Sequence, residues 1–145
     1  LVLIWIFYVF SFNLQLSMNK KYKVSPEYIR LFLGLLHEGI DSKLEDLSGL
    51  NLVNRDSVKR LVKEYLYPEY QNFTISTQFR IKESLRFGLN FWTEERLHNQ
   101  FPSTDAAFEI PQQLTAKELY KQIWDDMFNN EDITISDITK YQESN

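Results

Sequence analysis

The chain has 145 residues, of which 43% are hydrophobic, 15% aromatic and 25% charged, with a net charge of −4. That is enough apolar sequence for one packed domain and too little for two large ones, and four Gly and four Pro exclude fibrous or low-complexity composition. Cysteine is absent, which excludes disulfides, thiolate zinc sites, iron–sulfur clusters and cysteine nucleophiles and tilts the expected localisation to the cytoplasm.

The first segment, residues 1–17, begins LVLIWIFYVFSF and carries no charge. It is short of the roughly 20 apolar residues that a bilayer crossing takes, and it lacks the basic start and small cleavage-site residues of a secretory signal. It is expected to lie outside the fold as upstream-translated sequence, an anchor or a signal, with the domain running over 18–145. As an anchor it would leave Lys20, Lys21 and Lys23 on the cytoplasmic side, so a membrane is an expected partner only if this segment is kept.

Ser25-Pro26-Glu27 is a helix start: the serine caps free N–H groups, proline suits the first helical position and glutamate complements the helix dipole. The helix is expected to reach about Glu38 as a core helix, with Ile29, Leu31, Phe32, Leu33, Leu35 and Leu36 covering much of its circumference, and to stop at Gly39. Asp41 or Ser42 caps a short helix ending at Gly49, and a turn spans Asn51 to Asn54. A third helix, opened by Asn54 or Asp56, turns Val58, Leu61, Val62 and Tyr65 or Leu66 inward and Arg55, Ser57, Lys59, Arg60 and Lys63 elsewhere, until Pro68 ends it.

A β-prone stretch follows at Tyr70 to Ser76, then a long helical pattern from about Thr77 to Asn99 with Phe79, Leu85, Leu89 and Trp92 along one face and Gly88 as a weak point. Phe101 to Pro111 reads as a loop. Thr115 and Glu118 form a capping box for a last helix with Leu119, Ile123, Trp124, Met127 and Phe128 as its stripe. The tail, 131–145, is expected to make one weak turn at Ser136 to Lys140 and fray. The expected fold is therefore mainly α: a small helical domain with a three-helix unit over 18–68, two longer helices over 69–130, and a weakly ordered tail.

The stretch from Leu44 to Leu66 resembles the helix-turn-helix of bacterial transcription regulators, and the resemblance covers residues 25–66. Leu44 and Leu47 match the leucine pair of the first helix, Leu50 or Leu52 the buried turn residue, and Val58, Leu61 and Val62 the inner face of the recognition helix. The resemblance implies duplex DNA as the partner, with Arg55, Ser57, Lys59, Arg60 and Lys63 facing it. The turn departs from the family pattern by one or two extra residues, and no basic wing hairpin follows. Residues 18–63 carry nine Lys and Arg against six Asp and Glu, while residues 64–145 carry seven against fourteen. Positive charge thus sits where phosphate contact needs it.

Other motifs carry less. Glu95 and His98 have the spacing of one half of a di-metal helix site, but the motif needs a second copy that His37 does not supply, so no metal and no cofactor is expected. The pairs Asp125-Asp126 and Glu131-Asp132 lack the glycine and alternating oxygens of a calcium loop and read as a solvated acidic face. With no phosphate loop, nucleophile elbow or catalytic triad pattern, no enzymatic activity is expected. Three Trp, eight Tyr and eleven Phe exceed what a small helical core holds, and so Phe91, Trp92, Trp124 and Phe128 are candidates for a homodimer or partner surface. Two readings follow: a small DNA-binding regulator, or an all-helical interaction or adaptor protein with no nucleic-acid role, anchored at a membrane if residues 1–17 are kept.

Overall fold

The computed structural model describes residues 2–18, 20–39 and 42–145. The protein is mainly helical, with α1 at Val2–Met18, α2 at Pro26–Leu33, α3 at Ser42–Leu47, α4 at Arg55–Leu61, α5 at Tyr67–Gln71, α6 at Ile75–Phe91, α7 at Glu94–His98 and α8 at Ala116–Met127. Two three-residue strands, β1 at Tyr22–Val24 and β2 at Tyr141–Glu143, pair in parallel with Tyr22 opposite Tyr141. Ser25 caps α2 as expected, its hydroxyl accepting from the Glu27 N–H at 3.2 Å while its own N–H donates to the buried Ser84 hydroxyl at 3.1 Å. The α-helix stops at Leu33, earlier than expected; a 3-10 turn at Gly34–Leu36 and Gly39, at φ 78°, carry the chain away. Asp41, one of the two expected caps of α3, lies outside the described residues.

Pro68 does not end the third helix. Residues Val62–Leu66 form a π-helical turn in which the Tyr67 N–H donates to the Val62 carbonyl, and α5 continues directly with Pro68 in its first turn. The longer i to i−5 spacing opens the helix where a proline ring and a missing N–H would otherwise break it. The stretch expected to be β-prone is likewise helical: α5 reaches Gln71, and Thr74 caps α6 by accepting from the Thr77 N–H. The long helix expected to Asn99 breaks at Trp92, which is extended, and Thr93 caps the separate helix α7.

One core serves both halves. α2 packs on α6, α4 on α8, and the buried set runs continuously from Val24, Phe32 and Leu36 through Leu61, Tyr65 and Leu66 to Leu119, Ile123 and Trp124. Gly88 is needed inside α6 because the Trp92 ring lies on it: a Cβ there would sit 2.5 Å from Trp92 Cε3 and 3.2 Å from Leu97 Cδ2. The capping box of α8 forms as expected, and Glu94 of α7 adds a second anion at the same terminus by accepting from the Ala116 and Lys117 N–H groups.

The C-terminal tail is built into the fold and does not fray. The expected weak turn is a 3-10 turn at Ile138–Lys140, after which β2 pairs with β1, the Tyr141 hydroxyl donates to the buried Glu83 carboxylate, and Glu143 accepts from Trp92 Nε1 at 2.8 Å and from Arg96 at 2.7 Å. Burial and the facing Glu83 charge push the Tyr141 phenol well above its ordinary pKa. At the other end, the side chains of Val2 to Phe10 on α1 are 47% to 74% exposed and none belongs to the core. Among the described residues, no helix is long and apolar enough to cross a membrane.

Candidate nucleic-acid interface

Asn54 positions α4: its side chain accepts from the Asp56 N–H at 2.9 Å, which sets the first turn and hence the direction of every side chain after it. Asn51 holds the preceding turn by accepting from the Val53 N–H at 3.1 Å. Leu44, Leu47, Leu52, Val58, Leu61 and Val62 are all buried, so the apolar positions of the helix-turn-helix-like pattern face inward and Leu52 is the buried turn residue. Lys59, Arg60 and Lys63 are exposed, and Ser57 is half-buried beside them. At 100° per residue, Lys59 and Arg60 fall within about a third of the circumference of α4, together with Asp56, and Lys63 and Glu64 follow in the π turn. Arg60 donates to Glu64, its i+4 neighbour.

Arg55 does not belong to this face. Its guanidinium grips the Asp126 carboxylate of α8 through both amino groups, one contact at 2.6 Å, and the Asp126 side chain is only 13% exposed. The hydrogen bond to Asp126 raises the Arg55 pKa further, against the opposing effect of burial, with the charges of Asp125 and Asp56 adding to it. The sequence held the signal: Arg55 stands three residues before Val58 and seven before Val62, on the buried stripe of the helix. It works as a strut between α4 and α8, and it orients the face that carries the lysines.

The expected aromatic partner surface is largely internal. Trp124 is fully buried and donates from Nε1 to the Glu131 carbonyl at 2.6 Å, and Trp92 is 6% exposed. Phe128 is half-buried with its ring 4.6 Å from that of Trp124 and the Lys82 ammonium 4.8 Å from its centroid. Of the four, Phe91 alone is exposed, at 47%. The surplus aromatics instead fill the core at Tyr65, Tyr70, Phe87, Phe101, Phe108 and Tyr120, where each Tyr hydroxyl can find a partner: Tyr120 donates to the Leu97 carbonyl at 2.7 Å and Tyr70 to the Gln78 carbonyl at 2.8 Å. Burial raises the Tyr70 pKa to about 12.

Of the two acidic pairs, Glu131 and Asp132 are exposed as expected, while Asp125 and Asp126 are half-buried, and all four carboxylates have partners. Asp126 takes Arg55, Asp125 takes Lys121 at 2.6 Å, and Glu131 takes Lys82 at 2.6 Å and Arg86 at 3.4 Å. Hydrogen bonding to Lys82 holds the Glu131 carboxyl below its ordinary range. The Asp132 carboxylate closes a local turn by accepting from the Thr134 N–H and hydroxyl, which lowers its pKa. Glu95 and His98 are exposed on α7, and among the described residues no group of three or more His, Asp or Glu is placed to hold a metal ion. Comparison with protein-family models, with curated proteins and with solved structures finds no match to this chain.

Proposed function

We propose that the protein is a small, non-enzymatic DNA-binding module of the transcription-regulator kind, acting in the cytoplasm and contacting duplex DNA through α4. The observation that carries this reading is the division of α4: Val58, Leu61 and Val62 are buried while Lys59, Arg60 and Lys63 stand together outside, beside Ser57. Asp56 and Glu64 flank those three cations, so the net charge of the face is low and its attraction for phosphate is modest. Arg55 takes no part in binding; its role is to hold α4 on α8.

Three phosphate contacts set the salt dependence. The slope of log K against log salt is at most about −2.7, a loss of about fortyfold between 50 and 200 mM salt. Fluorescence anisotropy of labelled random duplex checks this directly, and the triple reversal K59E/R60E/K63E is expected to abolish the binding at low salt without altering the circular dichroism. Arg55 is left intact in that variant, because reversing it would break the fold and mimic a loss of binding.

The second reading, an all-helical adaptor protein that binds another protein or a second copy of itself, is favoured by Leu31 and Phe91, which stay 46% and 47% exposed. It predicts no DNA binding at any salt concentration and a complex or homodimer that survives the triple reversal and is lost in Phe91→Ser.

A further inference from the structure

Many of the exposed apolar side chains among the described residues lie on α1 and around the start of β1. Residues 2–10 on α1 are apolar on every side, and residues 1–26 contain no acidic residue. A helix made to lie along another in water keeps a stripe of apolar side chains and a polar remainder; α1 has no such stripe, the pattern of a helix enclosed on all sides, in a hydrocarbon phase or among other helices. Lys20, Lys21 and Lys23 follow it, all exposed. Between them stands Tyr22, 37% exposed, its ring edge-on to Phe79 at 5.2 Å; Phe79 is 44% exposed and Ile75, one turn earlier on α6, is 80% exposed. Met18 and Tyr22 are four steps apart along the chain, a reach of at most about 14 Å, so the apolar helix leaves the domain close to this ridge.

We propose that α1, the three lysines and the ridge of Tyr22, Phe79 and Ile75 form one surface that docks on an anionic lipid bilayer. α1 is embedded among the acyl chains, the lysines meet phosphate headgroups, and the ridge lies at the interface, where a ring with a polar tip is favoured. At 1.5 Å per residue the described α1 measures about 26 Å, against a hydrocarbon thickness of roughly 30 Å. Lipid is favoured over a second copy of the chain by the absence of a stripe on α1 and by the charge of the segment that follows it.

The experiment uses the full chain and two vesicle preparations, phosphatidylcholine alone and phosphatidylcholine with phosphatidylglycerol. Trp92 and Trp124 are buried while Trp5 is 69% exposed, so a blue shift of tryptophan emission on adding vesicles reports α1 alone. The expected result is a blue shift with co-flotation that favours the anionic vesicles. The variant K20E/K21E/K23E lowers partition into those vesicles about a hundredfold, at roughly a fivefold effect per lysine. Ile75→Ser with Phe79→Ser weakens partition into both preparations and leaves the anionic preference and the circular dichroism unchanged. A blue-shifted Trp5 in the absence of lipid, with an oligomeric mass by sedimentation, would show a second copy covering α1 and overturn the proposal. Equal partition into both preparations, unmoved by the lysine reversal, would overturn it as well. The DNA-face variant K59E/R60E/K63E must partition like the unaltered protein, since none of its positions lies on this surface.

Discussion

Two surfaces were expected to face outward, and only one does. On α4 the lysines and Arg60 remain in solvent while the apolar stripe goes in; on α6 to α8 the tryptophans expected at a partner surface are part of the core. The difference lies in what directs each side chain. Helical spacing points Lys59, Arg60 and Lys63 outward, whereas only an excess of aromatic residues over the expected core volume points Trp92 and Trp124 outward. Their own spacing, with Trp92 three residues after Leu89 and Trp124 within the α8 stripe, already put both inside. Periodicity outranks composition because the helix repeat is fixed geometry, while core volume adapts to what is available.

The sharpest way to break this comparison is to treat Trp124 as the surface residue it was expected to be. Trp124→Ala removes a fully buried ring and the hydrogen bond to the Glu131 carbonyl, and it is expected to lose about 3–5 kcal/mol in urea unfolding; a loss below about 1 kcal/mol would return Trp124 to the surface. Next in size is Gly88→Ala, which drives a methyl into the Trp92 ring and is expected to lose about 1–3 kcal/mol, with a smaller loss when Trp92 is also Leu. Arg55→Ala leaves the mostly buried Asp126 without its partner. It is expected to lose about 1–2 kcal/mol, less than a fully buried pair because the Arg55 side chain is 36% exposed, and Arg55→Ala with Asp126→Ala recovers part of the loss.

The smallest effect is a pH dependence at Glu131. Its carboxyl is held below the ordinary value of 4.5 by Lys82, so the ion pair contributes in full above that value and fades as the pH falls through the lower folded value. Between pH 6 and pH 3 the unfolding midpoint of the unaltered protein should fall more than that of Glu131→Gln; equal slopes would contradict the assignment. Since the Glu131 side chain is 44% exposed, the difference is small and is reduced by salt.

Much of the fold was legible from residues with a local mechanism. Ser25, Asn54 and Thr115 cap helices at the positions that the capping pattern names, and the stripes of α4 and α8 identify their buried sides. What was hidden depends on partners distant in sequence. Pro68 reads as a stop because nothing local announces the π turn that accommodates it, and β2 is too short to be seen without β1, more than a hundred residues away. Thr74 and Thr93 were readable as caps and were masked by the β-branched neighbours of one and the apolar run preceding the other. In the candidate site, the lysines were legible and the inward turn of Arg55 followed from its stripe position, but its partner, Asp126, did not.

The most direct test of the DNA-binding reading is the anisotropy of a labelled random duplex titrated with the full chain at 50 and 200 mM salt, beside the K59E/R60E/K63E variant. The account predicts binding at 50 mM that weakens by about fortyfold at 200 mM and vanishes in the folded variant. Binding that the variant keeps, or no binding at 50 mM, would contradict it.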